Sequence, residues 1–265
     1  MNERQRHKKI LNMLSQQSIV TVHELETALD ASIATVRRDI NTLAAANLAQ
    51  KIRGGIEVVT DKTPAPPRLA GNSFNNNETL HVEEKRAVAR EATALCQDGE
   101  SIIINGGTST YRMAEFLEAR SLHILTNSFT MADYLLRRSN NQVTLPGGEV
   151  YRAQNIILSP YEDDTAVDHF YASKMFIGAY AIRQQGLIEA DPLLIKAEQK
   201  LLKQAEQLIV LVDSSKFETF GSLILCPLDR IDTVITDNGV KPDSVKMLEK
   251  AGIEVIVASS EHQTH

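Results

Sequence analysis

The sequence predicts an α/β protein in two parts, a small N-terminal winged helix-turn-helix followed by a larger, mostly parallel α/β domain. Three observations carry this. Residues 1–59 hold three short amphipathic patterns of helical period and then an alternating run around Gly54-Gly55. From residue 79 onward, helical patterns alternate with short continuous runs of β-branched residues, the mark of strands covered on both faces. Between them lies a stretch rich in Pro, Gly and Asn with hardly any apolar period. The expected divisions are a head at 1–59, a linker at 60–78, a body at 79–258 and a frayed tail at 259–265.

Composition narrows the function classes. With 265 residues, 43% apolar and 23% charged, the chain suits a moderate domain plus a smaller one and excludes wholesale disorder, collagen and long coiled coil. No apolar run approaches the roughly 18 residues of a membrane span, and Met1 to His7 opens with charge, so a soluble cytoplasmic protein without membrane association is expected. Cys96 and Cys226 stand far apart with no C-x-x-C pairing. They are expected as small buried hydrophobes, or else as a free sensing thiol. The seven histidines have no ligand spacing, so neither a metal nor a cofactor is expected. Net charge is −6, yet residues 1–59 carry eight Lys and Arg against six Asp and Glu, a net +2 that leaves −8 for the rest. A weakly basic head on an acidic body suits phosphate binding by the head alone, although ordinary scatter of solvated charge has the same appearance.

In the head, Ile10, Leu11 and Leu14 give a first helix over residues 3–16. Thr21 caps a second, which bears Val22, Leu25, Ala28 and Leu29. A third starts after Ser32 with Ile33, Val36, Ile40 and Leu43 in one stripe. Its other face carries Ala34, Thr35, Arg38, Asn41 and Thr42, with Arg37 at the boundary. Small and hydrogen-bonding side chains are what a helix needs to enter a major groove and reach base edges. Asn47 is expected to end this helix. Leu48 to Val59 then forms a hairpin turning at Gly54-Gly55, a wing whose Lys51 and Arg53, on the first strand, grip phosphate. The candidate DNA contacts are Ser32, Thr35, Arg37, Arg38, Asn41, Lys51 and Arg53. A protein-interaction domain of the same shape is the alternative.

Pro64, Pro66 and Pro67 predict an extended first half of the linker, and Asn75-Asn76-Asn77 a loose second half, unless the segment packs as a loop on the body. In the body, a helix through Ala87, Val88, Ala92 and Leu95 precedes a strand at Ser101 to Ile104. Further strands fall near 122–126, 142–145, 175–177, 208–212, 231–236 and 253–257. Ligands of such sheets bind beyond the carboxyl ends of the strands. Those ends carry Asn105-Gly106-Gly107-Thr108-Ser109-Thr110, Thr126-Asn127-Ser128, Pro146-Gly147-Gly148 and Asp213-Ser214-Ser215-Lys216. The first offers backbone N–H groups and a helix start to an anion, although it matches neither the nucleotide P-loop nor the dinucleotide spacing.

Ser32-Ile33-Ala34-Thr35-Val36-Arg37-Arg38-Asp39-Ile40, then Leu43 and Arg53-Gly54-Gly55, resembles the amino-terminal signature of the DeoR family of bacterial sugar-catabolism regulators. The resemblance implies that Thr35, Arg37 and Arg38 contact operator DNA; Asp39, repelled by phosphate, is expected to orient an arginine or close a local hydrogen bond. Gly107-Thr108-Ser109-Thr110, Thr126-Asn127-Ser128, Gly147-Gly148, Phe176-Ile177-Gly178, Ala197-Glu198-Gln199-Lys200 and Asp213-Ser214-Ser215-Lys216-Phe217 stand in the family's order through the body. That body looks like the family's effector domain, which is related to the ribose-5-phosphate isomerase and coenzyme A transferase fold. Three positions depart from the pattern: Asn47 and Glu218, where the family commonly has Gly, and Ser159-Pro160 in place of a glycine-containing loop. Ser159-Pro160 together with Ala197-Glu198-Gln199-Lys200 is similar to regulators of L-ascorbate utilisation.

What the resemblance implies is a repressor of a carbohydrate operon whose affinity for its operator is set by a phosphorylated sugar or sugar acid. The candidate effector contacts are Gly106, Gly107, Thr108, Ser109, Thr110, Asn127, Ser128, Gly147, Gly148, Glu198, Lys200, Asp213 and Lys216. Lys200 and Lys216 suit phosphate or carboxylate; Asp213 and Glu198 suit sugar hydroxyls. Glu198 and Lys200 read equally as ordinary charges on a helix surface, Lys174 as a surface charge and Arg152 as a loop cation. A homo-oligomer is expected, because one winged helix covers too few bases to specify a site. The rivals are a sugar-phosphate isomerase-like enzyme with an accessory head, using Asp213 and Glu198 as acid and base, and a protein adaptor.

Overall fold

In the computed structural model the chain divides into two compact units, Met1–Arg68 and Leu69–His265. The structure describes residues 3–17, 19–45, 48–52, 54–57, 73–159 and 165–259. The expectations for Asn47, Arg53, Pro160, residues 60–72 and residues 260–265 fall outside the described residues.

The first unit comprises α1 (Glu3–Gln16), β1 (Ile19–Thr21), α2 (Val22–Leu29), α3 (Ile33–Ala45), β2 (Gln50–Ile52) and β3 (Gly55–Glu57). Thr21 and Glu24 form a reciprocal capping box at the start of α2, and Asp30 closes it in the left-handed region at φ 48°. Ser32 begins α3, its Oγ accepting from the Thr35 amide at 3.3 Å. The three helices and the sheet bury Ile10, Leu14, Val20, Leu25, Val36, Ile40, Leu43 and Ile56 in one core. Ile33, expected in the α3 stripe, is 43% exposed, because it lies in the first turn ahead of that core. The wing turn also differs from expectation. Ile52 pairs with Gly55, so Gly55 is already in β3 and the reversal precedes it, with Gly54 at φ +87°. Since β3 is the central strand of β1-β3-β2, a Cβ on Gly55 would collide with the Val20 carbonyl oxygen.

The second unit opens with α4 (Phe74–Glu78) and α5 (Val82–Ala94). Asn75 to Asn77, expected as loose linker, therefore sit on a helix, held because Phe74 is buried and donates its amide to the Ala153 carbonyl at 2.9 Å. There follow β4 (Ser101–Ile104), α6 (Thr108–Tyr111), β5 (His123–Thr126), α7 (Phe129–Arg138), β6 (Gln142–Thr144), β7 (Glu149–Tyr151), β8 (Ile156–Leu158), α8 (Thr165–Asp168) and β9 (Ala172–Ile177). The chain continues through β10 (Ala181–Arg183), β11 (Gly186–Glu189), α9 (Pro192–Leu202), β12 (Ala205–Leu211), β13 (Leu223–Cys226), β14 (Thr233–Asp237), α10 (Pro242–Lys250) and β15 (Glu254–Ala258).

Seven of these strands form one sheet in the order β15-β14-β12-β9-β4-β5-β6, and every neighbouring pair in it is parallel. Alternation along each strand splits the core in two. Ile102, Ile104 and Phe176 face α5 and α7, while Ile103, Met175 and Ile177 face α8, α9, α10 and a small antiparallel sheet, β10-β11-β13. From β4 the chain winds one way to β5 and β6 and then the other way through β9, β12, β14 and β15. The direction reverses between β4 and β9, the place where parallel sheets open a crevice.

Candidate functional site

On the first unit, α3 presents Arg37, Arg38, Asn41 and Thr42 to solvent, with Ser32 exposed and Thr35 half-buried at its start. Neither arginine forms an ion pair with a described residue. Lys51 reaches from β2 to α3, its Nζ donating to Asn41 Oδ1 at 2.8 Å. The opposite side of α3 is anchored by Asp39. It is 1% exposed and accepts from Arg6 Nε at 2.6 Å, Arg6 Nη2 at 3.0 Å and His7 Nε2 at 3.1 Å. Burial alone would raise this carboxyl, but hydrogen bonds from Arg6 and His7 outweigh it and hold the group below its ordinary value. Asp39 thus binds an arginine of α1 and leaves Arg37 and Arg38 of its own helix available.

In the second unit the crevice at the β4/β9 reversal is a cavity of about 90 Å³. Gly106, Gly107, Thr108 and Ser109 line it from the β4 end, Gly178 to Tyr180 from the β9 end, and Glu189, Asp191, Glu198 and Lys216 from beyond. A Cβ on Gly106 would displace the Ile156 side chain, and the Gly106 amide donates to Asn127 Oδ1 at 2.7 Å. The helix after this loop, α6, has only four residues, so the dipole expected behind the loop is small.

The crevice is rich in buried acid. Glu198 is 3% exposed, and its Oε1 accepts from Asn105 Nδ2 at 2.7 Å while Oε2 has no partner. Burial raises its carboxyl well above the ordinary value, the Glu189 charge adds to this, and the Asn105 bond opposes it. Burial likewise pushes Glu189 up to about 7 against the Ala190 amide, with the Asp191 charge assisting. Asp191 caps α9 through the Leu193 amide at 2.9 Å and accepts from the Tyr151 hydroxyl at 2.8 Å. Asp213, a predicted contact that lines neither this crevice nor the larger cavity beside it, is 1% exposed, accepts from the amide and hydroxyl of Ser215 and leaves Oδ2 without a partner. Lys85 of α5 is 2% exposed and donates to the Asn77 carbonyl at 2.6 Å. Burial brings it down to about 8, although neighbouring Asp213 works the other way.

The sequence-predicted residues divide accordingly. Gly106, Gly107, Thr108, Ser109, Glu198 and Lys216 meet at the crevice. Asn127 and Lys200 instead line a neighbouring, largely apolar cavity of about 540 Å³ between β7–β8 and α9. Thr110 is fully buried and donates to the Asn105 and Gly107 carbonyls, and Ser128 caps α7 through the Met131 amide at 3.2 Å. Gly147 and Gly148 form the turn into β7, and neither lines either cavity. Lys174, expected at the surface, is a partly buried partner of Glu100. Cys96 and Cys226 are buried, and burial raises them to about 12 and about 11, which removes the reactive-thiol alternative. Among the described residues no group of three His, Cys, Asp or Glu is placed to hold a metal, and no helix is long and apolar enough to cross a membrane.

Sequence reasoning missed Glu189, Asp191 and Lys85. The Lys85 signal was legible: it lies three, four and seven residues before Val88, Ala89 and Ala92, on the buried face of α5. Asp191-Pro192 likewise has the form of a helix start.

Comparison with known proteins supplies the family. A profile described as the DeoR-like helix-turn-helix domain matches residues 6–62, and one described as the DeoR C terminal sensor domain matches residues 80–238. The HTH-type transcriptional regulator UlaR of Shigella dysenteriae serotype 1 (strain Sd197) is 33% identical over 97% of this chain and 99% of its own. UlaR of Escherichia coli O1:K1 / APEC shows the same identity and coverage. Among solved structures, ribose 5-phosphate isomerase A from Methanocaldococcus jannaschii is 19% identical, with a TM-score of 0.38 over 50% of this chain and 53% of that one. Chaetomium thermophilum eIF2B beta is 13% identical, with a TM-score of 0.40 over 58% of this chain and 48% of that one. With both domain profiles matched in order and a named regulator similar along almost the whole length, the chain belongs to the DeoR family of transcriptional regulators, a DNA-binding helix-turn-helix joined to a sensor domain.

Proposed function

We propose that this regulator is a cytoplasmic repressor of a carbohydrate-utilisation operon, released from its operator by a phosphorylated sugar or sugar acid bound in the β4/β9 crevice. The carrying observation is the buried Glu198 Oε2, which has no hydrogen-bond partner and stands in the crevice with the Gly106-Gly107 loop and Lys216; Asp213 Oδ2, three residues before Lys216 in the chain, is buried and without a partner as well. Buried polar atoms without partners are costly and mark a place where a ligand completes the hydrogen bonding. Lys216 and the amides and hydroxyls of Thr108 and Ser109 suit an anionic end of the ligand; the acids suit its oxygen-rich remainder. A cavity of about 90 Å³ accepts one end of such a molecule. Asn127 holds the crevice loop and lines the larger cavity, so it and Lys200 lie where the other end of the ligand extends. The relatives named UlaR, together with the residues shared with ascorbate-utilisation regulators, favour a sugar acid.

In the head, Thr35, Arg37, Arg38 and Asn41 read bases, while Ser32, Lys51 and Arg53 position the helix on phosphate. Residues 1–59 form the reader and the Pro-rich stretch after them the linker. Two copies bind as a symmetric pair, each on a half-site; a monomer on a single half-site in light scattering would overturn this. The effector favours the arrangement that cannot bind DNA, with coupling of about 1–3 kcal/mol. Fluorescence anisotropy on the DNA upstream of the regulator's own gene, at fixed salt, tests the whole reading. Sugar-acid phosphates are expected to release the DNA from the wild type and not from Lys216→Ala. DNA that no sugar phosphate or sugar-acid phosphate displaces would remove the effector assignment.

A further inference from the structure

We infer that Glu198 is a neutral hydrogen-bond donor, and that through it the crevice selects a ligand presenting a carboxylate or carbonyl oxygen over one presenting a hydroxyl at the same position. This rests on the crevice being the effector site and deepens that reading to the chemistry of one ligand oxygen.

The argument is geometric. Glu198 lines the crevice and is 3% exposed, its Oε1 is occupied by the Asn105 amide, and its Oε2 has no partner. The groups around it come from every neighbouring element. Asp191 precedes its own helix, and Lys196 and Lys200 of that helix line the other cavity. Glu189 ends β11, and the buried thiol of Cys226 lies on β13. Asp213 and Lys216 follow β12, and Lys85 on α5 is bound to the Asn77 carbonyl beside Asp213 and Lys216. No described Lys or Arg forms an ion pair with Glu189, Asp191 or Glu198. Three carboxyl groups share this small crevice with one lysine, Lys216, whose charge acts on Glu189; one cation does not compensate three acids, and the most buried of them keeps a proton.

Glu198 keeps its bond from Asn105 on Oε1, so the proton sits on Oε2, the atom without a partner. A neutral carboxyl there donates. A ligand carboxylate receives a charge-assisted bond and a carbonyl an ordinary one, whereas an ionised Glu198 would repel the first and leave the second without a donor. The isostere Glu198→Gln copies the neutral acid, with its carbonyl oxygen toward Asn105 and its amide toward the ligand. Glu198→Ala removes the donor.

Two experiments on the full chain decide this. Infrared difference spectra of ligand-free wild type against Glu198→Gln at neutral pH are expected to show the carbonyl stretch of a protonated carboxyl in the wild type that the variant lacks. Calorimetry with 6-phosphogluconate and glucitol 6-phosphate, which differ only as carboxylate against alcohol at C1, is expected to favour the acid by about tenfold in the wild type. Glu198→Gln is expected to keep that preference within about threefold, and Glu198→Ala to lose it. As pH rises, the preference should fade in the wild type and persist in Glu198→Gln. Absence of the infrared band, or a preference lost equally in Glu198→Gln and Glu198→Ala, would overturn the neutral donor. Binding of neither compound with the band present would overturn instead the crevice reading on which the inference rests.

Discussion

Each half of the molecule buries carboxyl groups, and the two halves treat them in opposite ways. Asp39 in the head and Glu198 in the sensor unit are 1% and 3% exposed, yet Asp39 is held below its ordinary pKa and Glu198 well above it. Burial is common to both, so the partners decide. Asp39 receives a two-pronged bond from Arg6 and another from His7, while Glu198 receives one amide and faces other acids. A paired buried acid fixes an element in place; unpaired ones keep hydrogen-bonding capacity for something that arrives later. The strongest test of that contrast is Asp39→Ala. Removing one partner of a buried ion pair costs about 3 kcal/mol, and here it should loosen α3 from α1. Calorimetry of the full chain is expected to show the head's transition falling with the sensor unit's unchanged, and operator binding weakening with it. An equal fall in both transitions would end the comparison.

The pH dependence separates the halves next. Asp39 has a lowered pKa in the folded head, so its contribution is fully present above the unfolded value of 3.8 and is lost as pH falls through the lower folded value. Glu189 has the opposite sign. The folded sensor unit holds a proton that the unfolded chain releases between 4.5 and about 7, so stability declines as pH rises through that window. A shift of that size is worth on the order of 3 kcal/mol, and Glu189→Gln should flatten the decline. Thermal scans from pH 4.5 to 7 are expected to lower the sensor transition, over a range in which Asp39 itself stays ionised in the head. A sensor transition that rises over this range would show that the crevice acids are ionised and paired.

Much of this arrangement is legible in the sequence, and the limits are physical. Apolar period places α1, α2, α3 and α5 and the strands of the parallel sheet, because those patterns are local and each run is buried on a predictable face. The strands β7, β8, β10, β11 and β13 escape: they are no shorter than β4, β5 and β6, but they belong to small antiparallel sheets outside the helix-strand alternation that marks the others. The wing turn is misplaced by one residue because both Gly54 and Gly55 look like turn glycines, whereas Gly55 is needed for the close approach of β1. Gly106 and Gly107 at the crevice follow from the rule about strand ends. Glu189 does not, because what makes it part of the site is the reversal of strand order between β4 and β9. Lys200 shows the same limit: two residues from Glu198 on one helix, it faces a different cavity.

Within the head the same contrast, held against free, separates its exposed cations by smaller effects. Arg38 has no ion-pair partner among the described residues, so its loss removes only what it does on DNA. Arg38→Ala is expected to cost about 1–3 kcal/mol on the preferred operator and little on other sequences, measured as anisotropy binding to operator variants at one salt concentration. Lys51 is already engaged, donating to Asn41 at 2.8 Å. As an exposed pair that bond is worth under about 1 kcal/mol, so Lys51 can exchange Asn41 for a phosphate at little cost. Lys51→Ala should then weaken all DNA about equally and reduce the slope of log affinity against log salt by about 0.9, one counterion's worth. It also frees Asn41, whose amide can turn, so any change in discrimination should be confined to the base Asn41 meets. If Lys51→Ala relaxed discrimination as broadly as Arg38→Ala, the wing would be reading sequence, and the division between a reading helix and a gripping hairpin would have to be given up.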